Sequence, residues 1–520
     1  MRNRIGPCLA VLAFALLVSY APRGRAQATA PDIVVNSTGD QMDPAPSDGI
    51  CDVDPSTSGL QCTLRAAIQT ANGSTAGANV SFEIPLTDPG YAAGVFTIRP
   101  TTNLPTISAD HVVIDGTTQT AFNGDTNPDG PEVVLNGAAD TSSTKIGLSI
   151  LGGQNVVRGL VINGFFADAC SNCIGIWISG FTELDSGTRV EGCYVGTDAS
   201  GAAAVPNNNG IVMEGATGSI IGGTTPGAGN VISGNILSGV RMTPILSPSR
   251  RTVDAQLEGN LIGTDRLGTG ALGNFTGVEV TSGTGNLIGG TSAEARNLIS
   301  ANRGGGIVLT SQGSERTMVL GNYIGVDVTG AAPLGNAAGV VIRNGSALNR
   351  IGGVNPGEGN RIAFNAGDGV QIGRTLDDSF TRNNVVVGNF ISDNGGLGID
   401  LGADGVTPND PGDGDTGPNA LLNAPVLVAA TSAGGTTTIG GVLLDVAPAP
   451  ISSISMPATA ATRRVTARER SGSDASTSHQ MRPVTGASQS IYRVPLAMVS
   501  PSPQRQPSSR RRPNSPPARW

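Results

Sequence analysis

The chain has 520 residues, a formal net charge of −8 and an aromatic content of only 3%. An acidic chain lacks the basic face that phosphate backbones require, so nucleic acid is disfavoured as a partner. The low aromatic content argues against a deep enzyme pocket. The length allows several domains or one repeat array, and the 75 glycines favour many tight turns between short strands.

Residues 1–28 are predicted to be a signal peptide. Two arginines precede an apolar run from Leu9 to Tyr20, and small residues that permit cleavage follow, ending at Ala28. The run is shorter than the about 20 residues that cross a bilayer, so we expect no transmembrane segment in the mature chain. The protein is therefore expected to be secreted or displayed on the cell surface, with a retained N-terminal anchor as the alternative.

Residues 32–80 are predicted to form a strand and a helix. In CTLRAAIQTAN, residues 62–72, the apolar residues recur on one helical face, at Leu64, Ala67, Ile68 and Ala71.

The segment GICDVDPSTSGLQCTLRAAIQTAN, residues 49–72, resembles the CSLREA domain of secreted bacterial proteins. The name motif reads CTLRAA in this chain, so threonine replaces serine and alanine replaces glutamate, while Arg65 matches the arginine. Members of this family typically continue into right-handed parallel β-helix repeats of the pectin-lyase-like kind. The resemblance implies a fold and an extracellular compartment, and it implies no reaction.

Export would place the cysteines in an oxidising compartment. Cys51 and Cys62 flank a short polar loop and are predicted to form a disulfide. Among Cys170, Cys173 and Cys193 one residue must stay unpaired, and the sequence leaves the pairing open. At Cys170 and Cys173 a structural loop is favoured over a redox site, because no thioredoxin-like βαβ pattern surrounds them.

Residues 81–402 are predicted to form a right-handed parallel β-helix. A glycine followed by alternating apolar residues recurs nine times at intervals of 28–38 residues, from GLSI at Gly147 to GIDL at Gly398. Periods of this length are typical of solenoids, and the alternation indicates strands. With less regular strands before Gly147, we expect about eleven rungs. Residues 32–80 would cap the open apolar end, which otherwise promotes aggregation.

Two kinds of arm alternate between these strands. One contains GTD or GVD and carries Asp198, Asp265 and Asp327, and the other contains IGG. Asp265 and Asp327 would lie two rungs apart, about 9.6 Å along the axis, which is too far for ligands of one calcium ion. We expect these aspartates to accept backbone N–H groups at turns. Asparagines that recur in register, such as Asn260 and Asn302, should bond to neighbouring rungs.

Residues 403–424 are predicted to be a linker rich in Asp, Gly and Pro. Calcium prefers hard oxygen ligands on a loop, and the stretch DPGDGDTGPN holds such candidates at Asp410, Asp413, Asp415 and Asn419. A metal-free linker rich in Asx turns is the alternative. A weaker candidate, DTNPDG from Asp125, matches the start of an EF-hand loop but lacks its final glutamate. No other cofactor is predicted.

Residues 425–445 resemble the first two strands of a β-sandwich that does not continue. Residues 446–520 contain eleven arginines, two acidic residues and only two glycines, a composition that predicts a disordered basic tail. We interpret this tail as an out-of-frame translation of a sequence that once completed the sandwich. Sequencing the locus tests this interpretation, because the other reading frames must then encode further strands.

The favoured function is that of a non-enzymatic extracellular or cell-surface binding and adhesion module for glycans or surface proteins. The chain has two histidines, His111 and His479, and one lysine, Lys145, which leaves little for a hydrolase or lyase site. The nearest approach to such a site is Asp377-Asp378 beside Arg374, in an inter-strand loop. A polysaccharide lyase or hydrolase of pectin-lyase-like fold is the alternative, since fold alone does not decide function.

Overall fold

The structure is a computed structural model that describes residues 30–168, 170, 172–180, 187–245, 250–433, 436–443, 449–450 and 454–457. The predicted signal peptide and most of the predicted basic tail lie outside these residues.

The described chain winds through three long sheets, named A, B and C, and each turn contributes one strand to each sheet in that order. Nearly all neighbouring strands in these sheets are parallel; the pair Tyr91–Ala92 and Val95–Ile98 is antiparallel. This topology is the predicted all-β parallel β-helix solenoid. Its right-handedness follows from the strong chirality of parallel crossover connections.

Each sheet takes up its strands in chain order. Sheet A contains Asp32–Val35, Ala78–Phe82, Val112–Asp115, Val156–Arg158, Arg189–Glu191, Ile220–Gly222, Gln256–Glu258, Leu287–Gly289, Met318–Leu320, Arg350–Ile351 and Val385–Val386. Sheet B contains Tyr91–Ala92, Val95–Ile98, Val133–Asn136, Leu160–Asn163, Tyr194–Val195, Val231–Ile232, Leu261–Ile262, Leu298–Ile299, Tyr323–Ile324, Arg361–Ala363 and Phe390–Ser392. Sheet C contains Ile146–Ile150, Ile174–Ser179, Asn209–Glu214, Ser238–Thr243, Thr252–Val253, Thr276–Thr284, Gly305–Glu315, Ala338–Arg343, Val370–Ile372 and Ile399–Leu401.

The solenoid has nine complete turns, numbered 1 to 9 from the strand Val112–Asp115, because sheet C has nine stacked strands along its path. The expectation of about eleven rungs was therefore too high. The early strands Val112–Asp115 and Val133–Asn136 belong to sheets A and B of the turn whose sheet C strand is Ile146–Ile150, so they add no further turn. An apolar run identifies a strand but does not say which sheet it joins.

The nine glycine-led repeats of the sequence are the nine stacked strands of sheet C. Their first apolar residues pair in register down the inside of the sheet, at Leu148, Ile176, Ile211, Val240, Val278, Ile307, Val340, Val370 and Ile399. The glycine before all but the last of these residues is needed because neighbouring turns approach closely there. A Cβ at Gly277 would lie 2.5 Å from the carbonyl oxygen of Gly306 and 2.9 Å from Asn302 Nδ2.

Buried asparagines lock neighbouring turns together at the corners between sheets. Each side-chain Nδ2 donates to Oδ1 of the asparagine in the next turn, over 2.8–3.1 Å. One ladder lies at the corner between sheets A and B, at Asn230, Asn260, Asn297, Asn322, Asn360 and Asn389. A second lies between sheets B and C, at Asn207, Asn235, Asn274, Asn302, Asn336, Asn365 and Asn394. The structural interpretation of these residues is confirmed.

The N-terminal end of the solenoid is covered by the helix Leu64–Asn72, and its predicted apolar face is buried. Thr63 caps the helix by accepting the Ala66 N–H over 3.1 Å. Other helical segments are Thr118–Asn123 and the 3₁₀ turns Pro46–Asp48, Gly137–Ala139 and Pro418–Leu421. No helix within the described ranges is long and apolar enough to cross a membrane.

Two disulfides join Cys51 to Cys62 and Cys170 to Cys173. Cys193 is a free thiol inside the core, and burial raises its pKa to about 12. A thiol that stays protonated is a poor nucleophile and metal ligand, so Cys193 serves as an apolar core residue.

The C-terminal end begins with the 3₁₀ turn Pro418–Leu421, which packs against the last strand of sheet C. Beyond it, Val426–Ala433 and Thr436–Leu443 form an antiparallel hairpin. Two short strands, Ala449–Pro450 and Ile454–Pro457, also pair with the hairpin. The sequence predicted no strand after residue 445, and in this respect the structure differs, because pairing along an exposed strand edge needs no alternating pattern.

Arg65 ties the N-terminal helix to the segment that leads into turn 1. Its guanidinium forms an ion pair with Asp40 at 2.8 Å and donates to the carbonyl oxygens of Thr102 and Asn103, while only 7% of the residue is exposed. Replacing it leaves a half-buried carboxylate and two carbonyls without their donor. We expect Arg65→Ala to lower the free energy of unfolding by about 3 kcal/mol.

Urea unfolding followed by circular dichroism measures this effect. Arg99→Ala is the control, because Arg99 is exposed. Equal unfolding midpoints for the two variants would contradict the role assigned to Arg65.

Candidate functional site

A groove of about 760 Å³ runs along the corner between sheets A and B. Its floor is a column of glycines from turns 2 to 5, at Gly159, Gly192, Gly223 and Gly259. Successive turns of a β-helix are about 4.8 Å apart, so the floor extends over about 14 Å. The floor has no projecting side chains; Gly159 and Gly223 are buried, and the N–H groups of all four glycines donate to carbonyl oxygens of the next turn.

The floor needs glycine for two reasons. Gly192 has a φ of +58°, a left-handed conformation that other residues adopt only with strain. A Cβ at Gly192 would also lie 2.7 Å from the carbonyl oxygen of Gly227 in the next turn. The smooth floor is thus a consequence of turns packing closely at this corner.

One wall of the groove is the strap, defined as residues 117–132 between the sheet A and sheet B strands of turn 1. It begins with the helix Thr118–Asn123 and continues as a loop that reaches toward turns 3 and 5. Asn127 Nδ2 donates to the carbonyl oxygen of Ala199 over 2.9 Å. Asp129 forms an ion pair with Arg266 of turn 5. The strap therefore crosses over the intervening turns and does not follow its own.

Tyr194 holds the middle of the strap. Its hydroxyl donates to the carbonyl oxygen of Asp129 over 2.9 Å, and Gly130 and Gly201 approach its ring closely. Burial raises the pKa of Tyr194, the positive charge of Arg266 lowers it, and Asp129 raises it. A ring enclosed in this way orients the strap and is not free to stack on a ligand.

The opposite wall comes from the IGG arms. The loop of residues 224–229 in turn 4 lines the groove, and Glu294 of turn 6 extends the wall. Thr224 and Glu294 are exposed. At the base of the strap, Glu132 is 4% exposed and both of its carboxylate oxygens lie 2.7 Å from the Thr120 hydroxyl.

Several charged residues of sheet A next to the floor form ion pairs. Arg158 forms an ion pair with Asp115, and Arg189 forms one with Glu191. The pKa of Glu258 is raised by burial, against a smaller lowering by Arg189. None of these residues lines the groove itself, whose charged lining consists of four carboxylates and Arg266.

The aspartates of the GTD and GVD arms are turn acceptors, as predicted. Asp198 Oδ1 accepts the N–H groups of Ala202 and Ala203. Asp327 does the same for Ala331 and Ala332, and Asp265 accepts the N–H of Thr269. None of these aspartates lines the groove. They recur because each closes a turn in its own arm, and they do not form a shared site.

The predicted calcium ligands divide into two groups. Asp410, Asp413 and Asp415 each offer an oxygen within 4.8 Å of the others. Asn419 lies in a third asparagine ladder instead, where its Oδ1 accepts the Asn384 N–H and its Nδ2 donates to the Asn384 carbonyl. Both ends of the Asn419 amide are thereby engaged, and the candidate site reduces to three carboxylates.

The three carboxylates are poorly compensated. Asp410 Oδ1 and Asp415 Oδ1 are shielded from solvent and have no hydrogen-bond partner among the described residues. Burial and then the charges of Asp410 and Asp413 raise the pKa of Asp415. Two orphaned carboxylate oxygens are an unfavourable arrangement without a cation, and the donor set fits the oxygen preference of calcium.

The other sequence candidates do not come together. Asn127 and Asp129 of the weak EF-hand match build the strap wall. His111 lies in a tight turn with a φ of +59° before the first strand of turn 1. Asp378 accepts the N–H groups of Asn344 and Arg374, so it closes a loop.

The groove itself was missed by sequence reasoning. Its signal was the length of the segment between Asp115 and Val133, which joins two strands of one turn through 17 residues. By comparison, only two residues separate the strand that ends at Glu191 from the strand that begins at Tyr194. A long insertion at one corner of a regular solenoid points to a surface feature there.

No protein-family model matches the sequence, and no curated protein matches it. Among solved structures, the A-module of the mannuronan C-5 epimerase AlgE6 from Azotobacter vinelandii is a distant match. It is 14% identical, with a TM-score of 0.40, and the alignment covers 68% of this chain and 76% of that module. A match this distant supports no inference about activity, so function must be argued from the groove.

Asp400 is an uncompensated acid in the last turn of the solenoid. It is 4% exposed, its Oδ2 accepts the Gly405 N–H over 3.1 Å, and its Oδ1 has no partner among the described residues. Burial, followed by the charges of Asp368 and Asp404, raises its pKa to about 6, against a smaller lowering by backbone N–H groups. The folded chain therefore holds a proton that the unfolded chain releases near pH 4.

Ionisation of Asp400 should therefore lower the free energy of unfolding as the pH rises from about 4 to about 6. The loss of stability should persist at higher pH. We expect Asp400→Asn to raise the free energy of unfolding at pH 7.5 by about 1–3 kcal/mol, with little change at pH 4. Urea unfolding at the two pH values measures the difference, with the exposed Asp48→Asn as the control. A gain of equal size at both pH values would contradict this explanation.

Proposed function

We propose that this protein is an exported, non-enzymatic β-helix module that binds a glycan chain in the groove between the strap and the IGG arms. The observation that carries the proposal is the groove itself. Its glycine floor repeats with the turns of the solenoid, and its two walls are already in place. A repeating polymer suits a repeating floor, and extended solenoid surfaces are commonly used for binding.

The chemistry of the lining favours binding over turnover. No histidine, lysine or cysteine is among the residues that line the groove in the described chain. Arg266 is paired with Asp129, and the Tyr194 hydroxyl donates to a backbone carbonyl. Arg266 and Tyr194 are therefore engaged in holding the strap, and the described lining has no cationic side chain left to act as a base or to stabilise developing negative charge.

The extracellular location is part of the same proposal. Two disulfides are compatible with an oxidising compartment, and the N-terminal sequence has the composition of an export signal. A secreted or surface-displayed module would meet glycans of the cell envelope or of its surroundings.

The three carboxylates at Asp410, Asp413 and Asp415 are proposed to hold a calcium ion that braces the C-terminal end. Asp410 and Asp413 also organise this loop through hydrogen bonds to Gly414 and Asn423. A cation would neutralise the repulsion that raises the pKa of Asp415. Its role would be structural, since the loop follows the last turn and the groove ends near turn 6.

Calcium should therefore stabilise the protein. At 1 mM calcium and a Kd of about 10 µM, the free energy of unfolding should rise by about 2.7 kcal/mol. Differential scanning fluorimetry with calcium or with chelator measures the shift. We expect Asp415→Asn to abolish the calcium-dependent shift and Asp48→Asn to retain it. An equal shift in both variants would mean that the ion binds elsewhere.

Blocking the groove tests the main proposal. Thr224 is exposed in the groove wall, so Thr224→Trp should fill the groove and reduce glycan binding at least about tenfold, because the ligand loses its contact with the floor. Val354 occupies the same position in the equivalent arm of turn 8 and is 66% exposed. Val354→Trp is therefore the matched control and should bind like the parent protein.

A glycan array followed by calorimetry on the retained glycans provides the measurement. If no glycan binds, or if both tryptophan variants bind equally well, the groove is not the binding site. If the parent protein cleaves a bound polysaccharide, the non-enzymatic role is wrong and a hydrolase or lyase function takes its place. Unsaturated products that absorb in the ultraviolet would identify a lyase.

A further inference from the structure

We propose that the groove selects a glycan made of amino sugars with free, protonated amines, an inference that rests on the proposed function. Four carboxylates line the groove, from Asp125, Asp129, Glu132 and Glu294, against one basic residue, Arg266. Arg266 is itself neutralised by Asp129. The lining therefore keeps three carboxylates that no basic residue of the groove neutralises.

The surrounding surface strengthens this preference. Residues 30–445 contain 17 basic and 38 acidic residues, a net charge of −21. Fields of one sign along a cleft raise the local concentration of oppositely charged ligands and repel like-charged ones. A polyuronate would meet repulsion along the whole groove, whereas a polycation would be attracted to it.

Hydrogen-bonding capacity points the same way. Ionised carboxylates and backbone carbonyls are acceptors only, while an ammonium group offers three donors and no acceptor. The two side-chain donors beside the strap, Arg266 and Tyr194, are engaged with Asp129. The Thr224 and Thr225 hydroxyls of the opposite wall can donate or accept. A ligand rich in donors therefore finds more partners in this groove than a ligand rich in acceptors.

The shape of the floor favours a sugar chain over a basic peptide. Extended peptides bind by adding a strand to a free sheet edge or by placing side chains in pockets. The strands on both sides of the floor are already paired to their neighbours, for example Arg189–Glu191 with Val156–Arg158 and with Ile220–Gly222. The glycine column has no side chains to form pockets for peptide side chains, which favours the broader face of a sugar ring.

The test is calorimetry of the full chain with four tetramers at a pH where amines are protonated. These are the tetramers of glucosamine, N-acetylglucosamine and galacturonate, and tetralysine. We expect the glucosamine tetramer to bind at least about tenfold more tightly than the other three. Its affinity should fall as ionic strength rises, because exposed charge pairs are screened by salt.

Two exposed acids of the groove provide the matched variants. The double variant Asp125→Asn with Glu294→Gln should weaken glucosamine binding about tenfold and leave N-acetylglucosamine binding unchanged. The control Asp48→Asn with Asp377→Asn removes the same number of charges from exposed sites outside the groove and should have no effect. Equal losses in both double variants would mean that net charge, and not the groove, attracts the ligand.

The remaining outcomes separate this inference from the proposed function. If galacturonate or N-acetylglucosamine binds as tightly as glucosamine and Thr224→Trp abolishes that binding, the groove binds glycans and the amine selectivity is wrong. If tetralysine binds as tightly as glucosamine, the groove recognises charge without the sugar, and the ligand class is wrong. If no tetramer binds and the glycan array is also negative, the proposed function fails as well.

Discussion

The structure depends on one constraint, which is that the asparagine amides of the ladders are satisfied only when the next turn lies in register. Asn260, for example, donates to Ile221 of the preceding turn and to Asn297 of the following turn. A buried polar group without its partner costs about 1–3 kcal/mol, so a slip of one residue in the pairing of a turn would separate its ladder asparagine from both neighbours. The interior residues are therefore much the same in every turn. The turns differ mainly in the loops that leave the corners.

The groove follows from that confinement. At the corner between sheets A and B, the GTD and GVD arms pass with few residues between strands, while the IGG arms carry a short loop such as residues 224–229. Alternation of the two arms leaves open space above the glycine column, and the strap from turn 1 closes its other side. The groove is thus formed by the strap and the IGG loops, which depart from the regular repeat. The regular turns of the solenoid hold these segments in place.

Sequence reasoning identified the repeated parts of the molecule well. The alternating apolar residues after Gly147, Gly175 and their equivalents predicted the strands of sheet C, and the recurring Asn and Asp residues predicted ladders and turns. The number of turns was overestimated because a short apolar run does not reveal its sheet. The groove depends on where the strap crosses other turns, and that crossing rests on contacts such as Asn127 with Ala199, which no local pattern records. The ladder contact of Asn419 was missed for the same reason, since its partner Asn384 lies 35 residues away.

The strap also changes how the solenoid should unfold. Each turn of a repeat protein contacts only its neighbours, so stability is normally a sum of local terms and the ends can fray independently. The contacts of the strap with Ala199, Tyr194 and Arg266 join turn 1 to turns 3 and 5 directly. We expect turns 1 to 5 to unfold as one cooperative unit, and the bond from the Val328 N–H of turn 7 to the Gly268 carbonyl of turn 5 carries such cross-linking further along the solenoid. The groove lies almost entirely within the cooperative part, where its walls keep their spacing even when the far end of the solenoid opens.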